Sequence, residues 1–191
     1  MRRLQLTWIM ILACTSFFAQ NGFDSTSIEI LPKSRLTITG DTNINEFLCE
    51  FNTALISKNK QIKFYEGESS ICFEDALLRL ENTGFDCGNK AINKDFHTLI
   101  QTDKYPEISL ELKKITFEGK NRAVADVVLS IAGINKDYKV PVEIVSKNSP
   151  YFKGLLKLNI DDFNLEPPKK FFGMVVVKKE IEINFNLAVL N

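Results

Sequence analysis

The side chains that carry most enzyme chemistry are sparse in this chain, and those present are poorly spaced for it. One histidine, His97, stands among 191 residues, which removes most Ser-His-Asp and His-metal arrangements. It follows Phe96 at the edge of an apolar helical face, a position suited to packing or to the surface. Asp161 and Asp162 are adjacent carboxylates, but neighbours on a strand point to opposite faces, so the pair is poor geometry for acid–base work. It reads as a charged strand end before a turn. No Gly-x-Ser-x-Gly elbow and no phosphate-cradling glycine loop occurs. Cys49, Cys72 and Cys87 show no C-x-x-C spacing and have no second histidine to complete a zinc site. In an oxidising compartment two of the three can bridge, and the spacing leaves all three pairings open. No catalytic residue, metal site or enzymatic activity is expected.

What the chain has in quantity is apolar surface arranged in alternation. Ile181, Ile183, Phe185, Leu187 and Val189 share one parity, while Glu180, Glu182, Asn184 and Asn186 share the other. That is a long strand between water and an apolar interior. Leu36 and Ile38 lie in an earlier alternating stretch, and Phe47, Cys49 and Phe51 share a parity just after it. Ile108, Leu110 and Leu112 do the same further on. Ala123, Ala125, Val127, Leu129 and Ile131 grade from small to large along one face. The Gly133–Asp137 turn leads to Tyr138, Val140, Val142 and Ile144, and Leu156, Leu158 and Ile160 follow. About eight strands result, with few helices to cover an oily face. Closure into an antiparallel barrel is the economical solution. The one exception is Asn89 to Asp103, where Ile92, Phe96, Leu99 and Ile100 recur at helical spacing. Asn93 is the expected N-cap, and Tyr105-Pro106 the stop.

Composition agrees with a greasy interior. The chain has fifteen Phe against one Trp and four Tyr, and Phe has no polar group to satisfy. Twenty-four Lys and Arg balance 24 Asp and Glu, so charge recruits neither nucleic acid nor an anionic membrane. Residues 1–20 read as a signal peptide: Arg2-Arg3, an apolar run from Leu4 to Cys14, and a cleavage region at Phe17-Phe18-Ala19-Gln20. An alternative is a lipoprotein anchored through Cys14, since Ile11-Leu12-Ala13-Cys14 fits a lipobox. Either leader predicts a periplasmic or secreted protein. Residues 21–33 read as a polar N-terminal linker, and 34–191 as one barrel domain.

Several segments in order resemble the YceI-like family. They are Ser34 to Cys49, Phe85-Asp-Cys-Gly-Asn-Lys-Ala-Ile-Asn-Lys-Asp-Phe96, Tyr105-Pro-Glu-Ile108, Leu129-Ser-Ile-Ala-Gly133 and Asp162-Phe-Asn-Leu-Glu-Pro-Pro168. The Asp-Cys-Gly-Asn-Lys run looks most like the branch found in Bacteroidetes-type bacteria. A methionine often seen where Ile92 stands is absent, a volume-conserving change. The resemblance implies an all-β fold, a single extended, lipocalin-like, eight-stranded antiparallel barrel with one short helix. It also implies an interior that holds a long isoprenoid or quinone-like lipid, no cofactor beyond that ligand, and no defined catalytic residues. Alongside it goes a Cys49–Cys87 disulfide, with Cys72, between Ile71 and Phe73, free and buried.

Strand parity predicts the ligand-binding lining as Phe47, Phe51, Val127, Leu129, Ile131, Tyr138, Val140, Leu156, Leu158, Ile183 and Phe185. The loop from Glu166 to Gly173 places two rings, Phe171 and Phe172, in a proline-stiffened connection, and is expected to form a portal. Lys169 and Lys170 at its rim would allow transient contact with a membrane surface. The competing expectation is a structural or protein-interaction module whose barrel is packed shut.

Overall fold

The structure, a computed structural model, describes residues 23–56, 59–147, 149–167 and 176–190. The leader, with Cys14, and the segment holding Lys169, Lys170, Phe171 and Phe172 lie outside the described residues. Within them are twelve strands and one α-helix, α1 (Lys90–Leu99). The strands are β1 (Asp24–Ile30), β2 (Arg35–Thr42), β3 (Glu46–Phe51), β4 (Lys60–Glu66), β5 (Ser70–Glu74) and β6 (Leu77–Glu81). They continue with β7 (Phe85–Asp86), β8 (Glu107–Phe117), β9 (Arg122–Ile131), β10 (Ile134–Lys147), β11 (Ser149–Asn159) and β12 (Val177–Leu190).

Eight strands close a ring in the order β1-β4-β5-β8-β9-β10-β11-β12, all pairings antiparallel, with β12 returning to β1 through Glu29↔Leu190 and Ile30↔Val189. This is the expected barrel. The remaining strands extend it at one end: β2, β3 and β7 continue outward from β12, and β6 pairs with β8 beyond β5. The stretch read from sequence as linker contains β1, so the ring begins ahead of residue 34. Its sequence, Asp-Ser-Thr-Ser-Ile-Glu-Ile, is too polar to announce a strand. Pairing with β4 along five residues and with β12 at its end supplies what propensity does not.

Registers fix the inward face. Ile181, Ile183 and Phe185 on β12 stand opposite Leu158, Leu156 and Gly154 on one side and Gly40, Ile38 and Leu36 on the other. Ala123, Ala125, Val127, Leu129 and Ile131 of β9 are all buried. On β8 an extra residue, Lys113, interrupts the ladder: Leu112 faces Val127, and Ile115, not Lys114, faces Ala125. This β-bulge changes the inward parity, so Ile115 and Phe117 join the face of Leu110 and Leu112. Two aromatic rings cross onto glycines of the neighbouring strand. A Cβ on Gly40 would lie 2.4 Å from the Phe47 ring, and one on Gly154 would lie 2.2 Å from that of Phe185. Only glycine leaves the rings that space.

Other sequence expectations are corrected. The β9–β10 turn is confined to Ala132-Gly133, with Ile134 already on β10. Asp161 and Asp162 lie in a 3₁₀ turn, Ile160–Phe163, rather than on a strand; Asp161 pairs with Lys179 at 2.6 Å and Asp162 accepts from the Tyr138 hydroxyl at 3.3 Å. Cys72 is free but only half-buried. It stands opposite Tyr65 and Lys114, on the face away from Ile71 and Phe73.

Candidate functional site

The helix follows the disulfide by two residues, and the local chemistry explains why it starts where it does. Asn89 is extended (φ −155°), and its side-chain oxygen accepts from the backbone N–H groups of Ala91 and Ile92, each at 3.0 Å. These are donors an isolated first turn leaves unsatisfied. Asn93, expected as the cap, sits within the helix and ties it backward. Its oxygen accepts from the Cys87 N–H at 2.6 Å, and its amide donates to Asp86 at 3.0 Å. Gly88 N–H donates to the same carboxylate. The Asn93 amide first, and the Gly88 N–H second, hold the Asp86 carboxyl below the usual carboxylate range.

A disulfide joins Cys87 to Cys49 on β3, as expected. Both sulfurs are buried beside a ring stack in which Phe51 meets Phe85 edge-on at 4.9 Å and Phe85 meets Phe96 of α1 at 5.2 Å. The other end of the helix is held by Asn82, which is buried and donates to the Tyr105 carbonyl at 2.8 Å and to Thr102 Oγ1 at 3.2 Å. His97 Nδ1 lies 3.2 Å from the same Thr102 oxygen, and the imidazole packs on Phe96. His97 therefore belongs to the helix anchorage.

Anchored at both ends, α1 lies across the β2–β3 end of the barrel and roofs a cavity of about 380 Å³ that opens to the surface. Its roof is the apolar stripe Ile92, Phe96, Leu99 and Ile100. Its walls are Ile108 and Ile131 from β8 and β9, Leu158 from β11, Ile181 and Ile183 from β12, and Ile38 and Phe47 from β2 and β3. Ile160 and Leu165 close the side beyond β11. Four polar residues join the lining: Thr42 and Asn45 at the β2–β3 turn, the helix cap Asn89, and Asp95 on the helix. A mainly apolar lining with a few polar groups can hold the apolar part of an amphiphile by dispersion and loss of hydrated surface.

Of the residues expected to line the interior, Phe47, Ile131, Leu158 and Ile183 stand on this wall. Val127, Leu129, Val140 and Leu156 face inward but are closely packed below it, and Phe51 packs on Phe85. Tyr138 is half-buried at the side, stacked on Phe163 at 6.4 Å. Burial, then the Asp162 charge and hydrogen bond, pushes its phenol up to about 12. Phe185 borders a second, wider depression edged by Arg35, Glu118, Arg122 and Lys153. Phe171 and Phe172 lie outside the described residues.

The roof was missed by strand parity. Its signal was present in the sequence, since a lone amphipathic helix in a β chain must place its apolar stripe against the barrel. Among the described residues no group of three His, Cys, Asp or Glu side chains is placed to hold a metal ion.

Comparison with known proteins agrees with this architecture. The structure is similar to that of BcnA from Burkholderia cenocepacia, with a TM-score of 0.66 and 22% identity over 83% of this chain and 97% of that one. It is also similar to a polyisoprenoid binding domain from Saccharophagus degradans implicated in plant cell wall breakdown. There the TM-score is 0.59 and the identity 11%, over 87% of this chain and 98% of that one. At such identities the likeness is one of fold. No curated protein matches the sequence. The YceI-like domain family matches residues 61–189, from the second residue of β4 to the penultimate residue of β12, which covers seven of the eight ring strands. That span is well over half of the chain and carries the barrel whose end α1 partly covers: the protein belongs to the YceI-like family.

Proposed function

We propose that this protein is an exported binding protein that holds the apolar chain of an isoprenoid or quinone-like lipid in the cavity under α1, as a carrier, store or sensor. The observation that carries the reading is the cavity of about 380 Å³ under α1, open to the surface and lined almost wholly by apolar side chains. Burial at about 0.8 kcal/mol per methylene makes ten such groups worth roughly 8 kcal/mol before association costs. Affinity of that order needs no charged anchor. The description of the Saccharophagus degradans domain as polyisoprenoid binding supports the ligand class. Export is supported by the leader-like residues 1–20 and by the Cys49–Cys87 disulfide, which suits an oxidising compartment. A carrier of this kind meets a membrane surface transiently to load and unload.

The reading is tested by filling the cavity from its roof. An environment-sensitive apolar dye binds the wild-type protein and is displaced by farnesol. Leu99→Trp weakens dye binding by about tenfold or more, roughly the loss of two buried methylenes, while the unfolding midpoint stays near wild type. Unchanged dye binding in a folded Leu99→Trp protein places the ligand elsewhere and contradicts the reading.

A further inference from the structure

The barrel is built as a continuous ring, yet the cavity under α1 does not run through it. Moving one inward residue along each strand away from the helix, Ile131 is followed by Leu129, Leu158 by Leu156, Ile38 by Leu36 and Ile183 by Phe185. None of these four borders the cavity. Leu129, Leu156 and Leu36 are 2%, 5% and 7% exposed. Phe185 lies over its register partner Gly154, the inward position on β11 next after Leu156, and its ring takes the space a side chain there would occupy. Behind this layer Val127 and Val140 are buried in turn.

We propose that Leu36, Leu129, Leu156 and Phe185 form a floor that makes the site a blind pocket with a length ceiling, so that it takes only the terminal portion of an apolar chain. The remainder of the ligand, with any polar group, lies outside the cavity mouth, within reach of the polar lining residues Thr42, Asn45, Asn89 and Asp95. At roughly 30 Å³ for one water-sized group in a liquid, a cavity of about 380 Å³ holds a dozen such groups, which is two to three isoprene units. The ligand is therefore selected by the shape of its chain end and not by total length. Phe185 is the residue that sets the ceiling on the β12 side, because its ring also covers Gly154, where β11 supplies no side chain.

This inference rests on the reading that the cavity holds an apolar chain, and a chain-length series separates the two. Geraniol, farnesol, geranylgeraniol and solanesol are titrated against the full chain by dye displacement, in the same detergent-free buffer at concentrations below their solubility limits. The wild-type affinity rises by about tenfold or more from geraniol to farnesol and then changes by less than about threefold. Phe185→Ala moves the plateau to longer prenols by at least one isoprene unit. Ile183→Phe, which adds volume to the cavity wall and opens no hole, moves it to shorter ones. Binding that strengthens steadily through solanesol in the wild type overturns the floor and leaves the lipid-binding reading standing. Failure of every prenol to displace the dye overturns the reading and the floor with it. If Phe185→Ala does not fold, as circular dichroism will show, Ile183→Phe decides alone. A plateau unmoved in that variant refutes the ceiling.

Discussion

Tyr138 shows how a residue facing inward by parity can still be something other than lining. Its ring stacks on Phe163 and its hydroxyl donates to Asp162, so it fastens the 3₁₀ turn after β11 to β10. Burial and the carboxylate both favour the neutral phenol, and the group is held up to about 12. An unfolded tyrosine ionises near pH 10. Below that value both states keep the proton and Tyr138 adds no pH dependence. Between about 10 and 12 the unfolded chain ionises first, and folded stability declines as pH rises. Tyr138→Phe removes that contribution. Chemical denaturation across the alkaline range should show the stability gap between wild type and variant narrowing above pH 10. A constant gap would mean that the phenol titrates normally in the folded protein.

At the scale of elements, alternation was sufficient wherever a strand has one wet and one oily face. β9 reads directly from the chain, and β12 does so up to Phe185, beyond which Ala188 on the other parity is the buried residue. It misled where geometry adds or hides a residue. The extra Lys113 moves Ile115 and Phe117 onto the inward face, and a bulge has no composition signal of its own. The polar β1 is a strand because its neighbours pair with it. The helix was visible in its period, but two asparagines compete to cap it, and Asn89 wins because the chain is extended there. Asn93 instead braces the turn that carries Cys87. The disulfide is thus part of the roof's attachment, closing a separation of 38 residues between β3 and the helix start. The chain-entropy account gives such a loop about 4 kcal/mol, within a usual range of 2–5 kcal/mol. Cys87→Ser should lower stability by about that amount, and hydrogen exchange should show the loss of protection to be greatest in α1. Equal loosening of α1 and of the distant β4–β5 hairpin would argue that the bridge does not anchor the roof.

For the molecule as a whole, parity separates inside from outside but does not say how far along the barrel axis a residue sits. That height depends on strand tilt and stagger, which arise only when all the registers are combined. This is why the sequence-based lining mixes true wall residues such as Ile131 and Leu158 with Leu129 and Leu156 one layer below. It is also why the roof, on a different kind of element, was left out. The closed ring buries inward residues most deeply on β9, β10, β11 and β12. α1 then partly covers the end where β2, β3 and β6 extend the walls, and space is left between helix and sheet that Ile, Leu and Phe side chains do not fill. An apolar concavity of this kind gains by exchanging its water for an apolar guest. The central claim is that this space is occupied in the working protein. Mass spectrometry of organic extracts, made from the protein purified out of its native host without detergent, tests this most directly. An isoprenoid or quinone-like lipid should be recovered in near-stoichiometric amount from the wild type and be largely absent from Leu99→Trp. Recovery of no lipid from wild type, or of equal amounts from both proteins, would contradict the account.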